Sequence, residues 1–350
     1  MQVPRFSLTG SLWAVGPSRW TTGPTLVLGL LLLGCDSGHD SGHHRSLGHS
    51  DIAFAIAPRA DEVIFSAVGE GGRDLFTLDL KTRRVTRIAA TPGYEGDPGV
   101  SPDGGSVVYA AGAPGERADH LFLRSMDGKT VKQLTDEDAD DASPEFSPDG
   151  SSIVFVRSKG YVRGALAASG YTDPRLCVMK ADGSGLREVT DPALLIAYSP
   201  HFTRDGKSIY FLGQDGRYMV PADGSAAPEK LSEDASTVGW VLSPDGSSMA
   251  FSRGHYSPDY AIFTAAADGT NPRQLTHMEK RGCFRPTFTP DGRRLLFLVE
   301  SWPDGPSGEP KRGLWEVDVA GGEPREIADY HLFDAPLLWR PTEPDEIKRP

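Results

Sequence analysis

The 350-residue sequence is poor in cysteine, short of cations relative to acids, and has a single long apolar run. Its three cysteines, Cys35, Cys177 and Cys283, form no Cys-x-x-Cys pair, which excludes zinc ribbons and thioredoxin-like dithiols. Lys and Arg number 36 against 48 Asp and Glu, giving a formal net charge of −12. A surface of that sign repels phosphate backbones, so no nucleic-acid partner is expected. The same charge denies the folded part an electrostatic hold on anionic lipid. No Gly-x-Ser-x-Gly elbow occurs, so the nucleophile turn of an α/β-hydrolase is missing. No phosphate-binding Gly-rich loop ending in Lys-Ser or Lys-Thr is present. Helix-favouring runs are also scarce, whereas 40 Gly and 28 Pro suit many short strands joined by tight turns.

The apolar run Leu26-Val27-Leu28-Gly29-Leu30-Leu31-Leu32-Leu33 is too short for a membrane-spanning helix, which takes about 20 apolar residues. It fits the apolar core of a signal peptide. It leads directly into Gly34-Cys35, and Leu32-Leu33-Gly34-Cys35 resembles the lipobox of bacterial lipoproteins. The resemblance implies that residues 1–34 are a lipoprotein signal peptide and that Cys35 is lipidated. A small residue before the cut admits the peptidase, and the thiolate takes the lipid. Residues 35–50 hold almost no apolar side chain and are expected to be a flexible tether. His39, His43, His44 and His49 within it are read as solvated linker residues rather than metal ligands. The expected location is the bacterial periplasm or cell surface, with membrane contact through the lipid alone.

From residue 51 onward the chain repeats itself. Ser-Pro-Asp-Gly occurs at Ser101, Ser147 and Ser243, with variants starting at Thr203 and Thr289. The steps between successive copies are 46, 56, 40 and 46 residues. Val100, Phe146, Phe202, Leu242 and Phe288 precede them, and degenerate copies lie at Ile56-Ala57-Pro58-Arg59 and Trp339-Arg340-Pro341-Thr342. After each copy comes a short apolar strand, such as Val107-Val108-Tyr109 or Ile153-Val154-Phe155. A polar loop, a second strand and a tight turn such as Met126-Asp127-Gly128 follow, then a strand ending in Leu-Thr or similar, as at Leu134-Thr135. Asp-Gly between such strands is a strong hairpin signal, because Gly accepts positive φ without steric cost.

One unit is therefore four strands, one before the Asp-Gly turn and three after it. A lone four-stranded sheet cannot bury both faces, but units of 40–50 residues arranged radially can. Residues 51–350 are expected to form an all-β, six-bladed β-propeller of four-stranded antiparallel blades. Leu337-Leu338-Trp339 is expected to pair into the first blade and close the ring, with the strand at Ala53 to Ile56 competing for that place. The repeats resemble the TolB family, whose WD-type propeller units carry a Phe-Ser-Pro-Asp-Gly turn and a second Asp-Gly turn. The resemblance covers roughly residues 51 to 345, and a tether stands where TolB has a small N-terminal domain.

Strand direction places both Asp-Gly turns of a unit on one face. The loops between second and third strands, and the joints between blades, lie on the other. That second face holds the chemically rich segments, and function concentrates on loops held by a rigid scaffold. The joints bring Tyr94, Glu95 and Asp97, then Asp141, then Tyr198 and His201 toward the mouth of the channel. Trp240, Arg281, Arg285, His331 and Asp334 complete the candidate face. The acidic run from Asp136 to Asp141 lacks the Gly and spaced Glu of an EF-hand and is read as a solvated loop. Cys177 in blade three and Cys283 just before blade six lie too far apart for a disulfide and are expected to be free.

The expectation is a binding scaffold without catalytic residues, metal or cofactor, taking a protein or peptide partner at the loop face. The alternative is a propeller enzyme, a polysaccharide lyase or hydrolase, with a metal or acid–base site at the channel mouth.

Overall fold

The computed structural model describes residues 54–56, 62–68, 73–89, 93–113, 119–162, 170–191, 198–213, 215–233, 237–254, 259–301 and 311–328. Among these residues there is no α-helix. Strands β1 (Phe54–Ile56), β2 (Glu62–Val68), β3 (Arg73–Asp79) and β4 (Val85–Ala89) pair antiparallel in sequence order. So do β5 (Tyr94–Val100), β6 (Ser106–Gly112), β7 (His120–Ser125) and β8 (Val131–Gln133). These eight strands count as one sheet only because Arg73 on β3 and Tyr94 on β5 form a parallel pair.

Next come β9 (Asp140–Phe146), β10 (Ser152–Ser158), a separate two-stranded hairpin of β11 (Gly160–Val162) and β12 (Gly170–Thr172), then β13 (Arg175–Lys180) and β14 (Arg187–Glu188). The four-stranded sheet here is ordered β9-β10-β13-β14. A second four-stranded sheet comprises β15 (Tyr198–Phe202), β16 (Ser208–Gly213), β17 (Gly216–Pro221) and β18 (Glu229–Ser232). A third holds β19 (Thr237–Leu242), β20 (Ser248–Arg253), β21 (Ala261–Ala266) and β22 (Arg273–Gln274). The last holds β23 (Arg281–Phe288), β24 (Arg294–Ser301), β25 (Lys311–Asp318) and β26 (Arg325–Ala328). The fold is a β-propeller of four-stranded antiparallel blades.

The repeated turn has one geometry throughout. Ser101 Oγ donates to Asp103 at 2.6 Å, and Ser106 N–H donates back to Ser101 Oγ at 2.9 Å. Ser147–Asp149, Thr203–Asp205, Ser243–Asp245 and Thr289–Asp291 repeat the first bond at 2.6 Å. The glycine that closes each turn sits at φ between 68° and 72°, as Gly104 and Gly292 do, a region closed to most side chains. The Leu-Thr ending also has a mechanism. Thr135, Thr190 and Thr276 accept the N–H groups of Leu121, Leu176 and Ile262, each at 2.9 Å, pinning the fourth strand to the third.

Second strands read as continuous apolar runs because both of their faces are buried. On β6, Val107 and Tyr109 pack with Ile64 and Leu75, while Val108 and Ala110 pack with Ile153 and Phe155. On β10, Val154 and Val156 turn the other way, toward Ile209 and Phe211. Successive strand residues point to opposite faces, so one strand serves two inter-sheet cores. Tyr210 joins Trp240 and Met249, and Ala250 and Ile262 join Leu295 and Phe297. The circuit then returns to its start: Leu296 and Leu298 of β24 share one core with Val63, Phe65 and Phe76. The leading strands follow the same circuit, each beside the next, with β23 beside β1.

Three expectations change. β2 is flanked by β1 and β3, so the place expected for Leu337-Leu338-Trp339 is filled by the competing segment, β1. Residues 337–339 lie outside the described residues, as do Cys35, His331 and Asp334. Cys283 lies inside β23 rather than before it, and both Cys177 and Cys283 are free and buried. The acidic run is not all solvated: Asp140 and Asp141 enter β9 and are buried, because Arg157 lies across the strand pair to receive Asp141.

Candidate functional site

The candidate residues that are described belong to the leading strands themselves rather than to the joints that precede them. Each of these strands carries an irregularity: pairing skips between Gly96 and Gly99 on β5, Tyr198 and His201 on β15, Val238 and Val241 on β19, and Phe284 and Thr287 on β23. On β9 it falls between Ala142 and Glu145. At these bulges Asp97 (φ 49°), Ser143 (φ 52°), Gly239 (φ 57°) and Arg285 (φ 52°) take the left-handed conformation. All four lie at the same distance before the Ser or Thr of their turn. A left-handed non-Gly residue costs about 1–3 kcal/mol and persists only where the surroundings enforce it. A bulge re-aims the side chain it carries.

The bulges link neighbouring blades. Asp97 Oδ2 accepts the Ser143 N–H at 3.2 Å, from β5 to β9. One step farther, His201 Nδ1 on β15 meets the Glu145 carboxylate on β9, and Glu145 Oε1 accepts the Phe202 N–H at 3.3 Å. Burial opposes charge on His201, but the field and hydrogen bond of Glu145 prevail and raise its pKa above 6.5. Trp240 stands edge-on to His201 with ring centres 5.0 Å apart, and edge-on to Tyr210 at 5.6 Å. The row Glu145–His201–Trp240 thus spans three successive leading strands.

Other candidates have interior roles. Asp141 is fully buried and receives Arg157 through two bonds, Nε to Oδ1 at 2.7 Å and Nη2 to Oδ2 at 2.9 Å. Arg157 also meets Glu137, and hydrogen bonding to Asp141 holds its pKa above the ordinary value. Glu95 is fully buried and Trp240 nearly so. Arg281 is exposed at the start of β23 with its guanidinium 5.4 Å from the Trp315 ring centre, a cation–π distance. Arg285 is half-buried, and Tyr94 and Tyr198 lie on β5 and β15. His331 and Asp334 fall outside the described residues. Among the described residues no three His, Cys, Asp or Glu side chains converge as a metal site.

Glu145 and Ser143 escaped the sequence reading. The signal that identifies them is register: Glu145 and His201 each stand two residues before the Ser or Thr of their turns, and Ser143 stands where Asp97 and Arg285 do.

Residues 52–162 match the family model of the TolB beta propeller domain. No curated protein sequence matches the chain. Among solved structures it resembles TolB from Acinetobacter baumannii at 17% identity, covering 76% of this chain and 65% of that one, with a TM-score of 0.56. The chain therefore spans less than two thirds of that protein. It also resembles a putative TolB from Agrobacterium tumefaciens at 20% identity, covering 72% of this chain and 87% of that one, with a TM-score of 0.54. An oligogalacturonate lyase from Vibrio parahaemolyticus matches at 17% identity over 78% of this chain and 76% of that one, with a TM-score of 0.54. Likeness at these identities establishes the fold and not the activity. Residues 52–162 are similar to the TolB beta propeller domain, and the described chain has a TolB-like propeller fold.

Proposed function

We propose that this chain is a non-catalytic binding scaffold: a six-bladed propeller held through Cys35 to a membrane, in the periplasm or at the cell surface, that takes a protein or peptide partner on its loop-rich face. The count of six treats the eight-stranded sheet as two blades, β1–β4 and β5–β8. Their backbones pair at one parallel residue pair only, and they pack face to face through a shared core as every following pair of blades does.

The binding reading rests on the cross-blade contacts along the leading strands. Asp97 spans to Ser143, Glu145 to His201, and His201 to Trp240. Side chains locked to neighbouring blades give a surface of fixed shape, which lowers the ordering cost of docking. A second reading, a polysaccharide lyase or hydrolase, is favoured by one observation. Glu145–His201 is a carboxylate–imidazole couple of the kind used to move protons.

The test compares two charge reversals in the detergent-solubilised protein used to capture partners from cell-envelope extract. Arg281→Glu alters the loop face, and Arg293→Glu alters the Asp-Gly turn face. Loss of one captured protein with the first variant alone supports the proposal. Equal capture by both variants removes the loop face from consideration. Cleavage of oligogalacturonate by the wild type, lost in His201→Gln, would replace the scaffold with the enzyme.

A further inference from the structure

One repeat position ties a blade to the next along the outer rim. Lys132, Arg187 and Arg273 occupy it, each three residues before the Thr135, Thr190 or Thr276 that pins its outer strand. Each side chain reaches a backbone carbonyl in the turn between third and fourth strands of the following blade. Lys132 Nζ donates to Asp182 O at 2.6 Å, Arg187 Nη2 to Ala222 O at 2.8 Å, and Arg273 Nη2 to Val319 O at 2.6 Å. The blade of β15–β18 has Glu229 at this position, opposite Met219. There Arg217 of β17 takes over, with its guanidinium against Gly269 in the turn of the next blade.

The two boundaries of the first blade, β1–β4, are different. Its own residue at the position is Thr86, opposite Thr77, too short to cross to the Met126-Asp127-Gly128 turn. In the last blade, β23–β26, the residue is Arg325, which has the length but turns back on its own sheet. It stands opposite Glu316, and its Nε donates to Glu316 Oε1. Glu316 is buried and accepts Arg294 Nη1 on its other oxygen at 2.7 Å. Opposite Lys132, Arg187 and Arg273 stand Leu123, Val178 and Thr264, none of them an acid that would capture the cation.

The repeated rim latch is thus missing on both sides of the first blade. Apolar cores join it to its two neighbours, and one backbone bond, from Arg73 N–H to Gly93 O at 3.0 Å, ties it to the second blade. Elements with fewer ties open locally at lower free energy than the rest of a fold. A blade that leaves its neighbours has both apolar faces in water and does not survive as a sheet.

We propose that the first blade is the release point of the ring: it lets go and unfolds as one unit while the latched blades stay closed, and Glu316 keeps Arg325 from locking it. Release uncovers Val107, Tyr109 and Ala111 on one side and Leu296 and Leu298 on the other. This rests on the division of the eight-stranded sheet into two blades and not on the binding role.

The experiment is hydrogen–deuterium exchange of the detergent-solubilised full chain in low urea, read by peptide mass. Amides of β2, β3 and β4 should exchange together, about tenfold or more faster than those of β10 and β13, whose blade is latched on both sides. Thr86→Arg supplies the missing latch and should slow that exchange about threefold relative to Thr86→Met, with β10 and β13 unchanged. Glu316→Val frees Arg325 and should slow it about threefold relative to Glu316→Val with Arg325→Met. Arg187→Met should quicken exchange in β10 and β13, which keeps the latch idea testable if a first-blade variant fails to fold. Exchange of β2 and β3 as slow as that of β10 and β13, or fast exchange confined to β1, overturns the proposal. So does equal exchange in Thr86→Arg and Thr86→Met. Opening of β5–β8 together with β1–β4 would instead remove the division into two blades, whereas slow exchange of β1–β4 leaves that division standing.

Discussion

His201 and Glu145, 56 residues apart in sequence, meet across the boundary between two blades, each just before the Asp-Gly turn of its own repeat. The contact arises because both residues occupy the same place in their repeats, two residues before the turn. Neighbouring leading strands then bring equivalent positions side by side. This pair gives the propeller a pH-dependent strut. The His201 pKa is raised in the fold, so the stability it contributes is fully present below its ordinary value of 6.5 and is lost as pH rises through the higher folded value. Urea unfolding of wild type and His201→Gln at about pH 5.5 and about pH 9 checks the sign: the wild-type advantage should be larger in acid. An advantage that grows toward alkaline pH would contradict the assignment.

Asp141 and Arg157 form the interior counterpart. Asp141→Ala leaves the buried Arg157 guanidinium with Glu137 alone and is expected to cost about 3–5 kcal/mol. Replacing both, as Asp141→Leu with Arg157→Met, should recover most of that loss. Equilibrium denaturation of the three proteins checks the pattern, and equal stability of the single and double variants would count against it.

The threonine that ends the outer strand has a defined worth. In Thr190→Val the shape is kept but the Leu176 N–H, buried at 2.9 Å from Thr190 Oγ1, loses its acceptor. A loss of about 1–3 kcal/mol is expected. Val substitution without effect would show that this bond is replaced by another.

The two thiols of the described chain should be inert. Burial pushes Cys177 up to about 12 and Cys283 up to about 11, so neither forms thiolate near neutrality. Maleimide should label neither residue in the native protein and both after denaturation. Rapid native labelling would mean that the β13 or β23 core opens readily.

The repeat grammar was legible because its parts are local. Ser-Pro-Asp-Gly fixes its own turn through Ser101 and Asp103, and the continuous apolar runs of β6 and β10 announce strands buried on both sides. The site was only half legible, because its parts are not local. Asp141 read as one more solvated acid until Arg157, 16 residues on, proved to lie across the strand pair. Glu145 drew no attention without knowledge that β9 and β15 are neighbours. The bulges were invisible too, since Asp97, Ser143 and Arg285 share a backbone conformation and no side-chain chemistry. The segment beside β2 was misjudged for a related reason. Phe54–Ile56 and Leu337–Trp339 are both short and apolar, and composition alone does not rank them.

The whole account depends on the first and last blades of the described chain packing together, since that contact creates the channel and its mouth. The direct measurement is a double-mutant cycle between Phe65 on β2 and Leu298 on β24, which share one buried core. Phe65→Ala, Leu298→Ala and the pair should show a coupling of about 0.5–3 kcal/mol. Strict additivity of the two losses would mean that the ends do not meet, and the channel mouth would lose its physical basis.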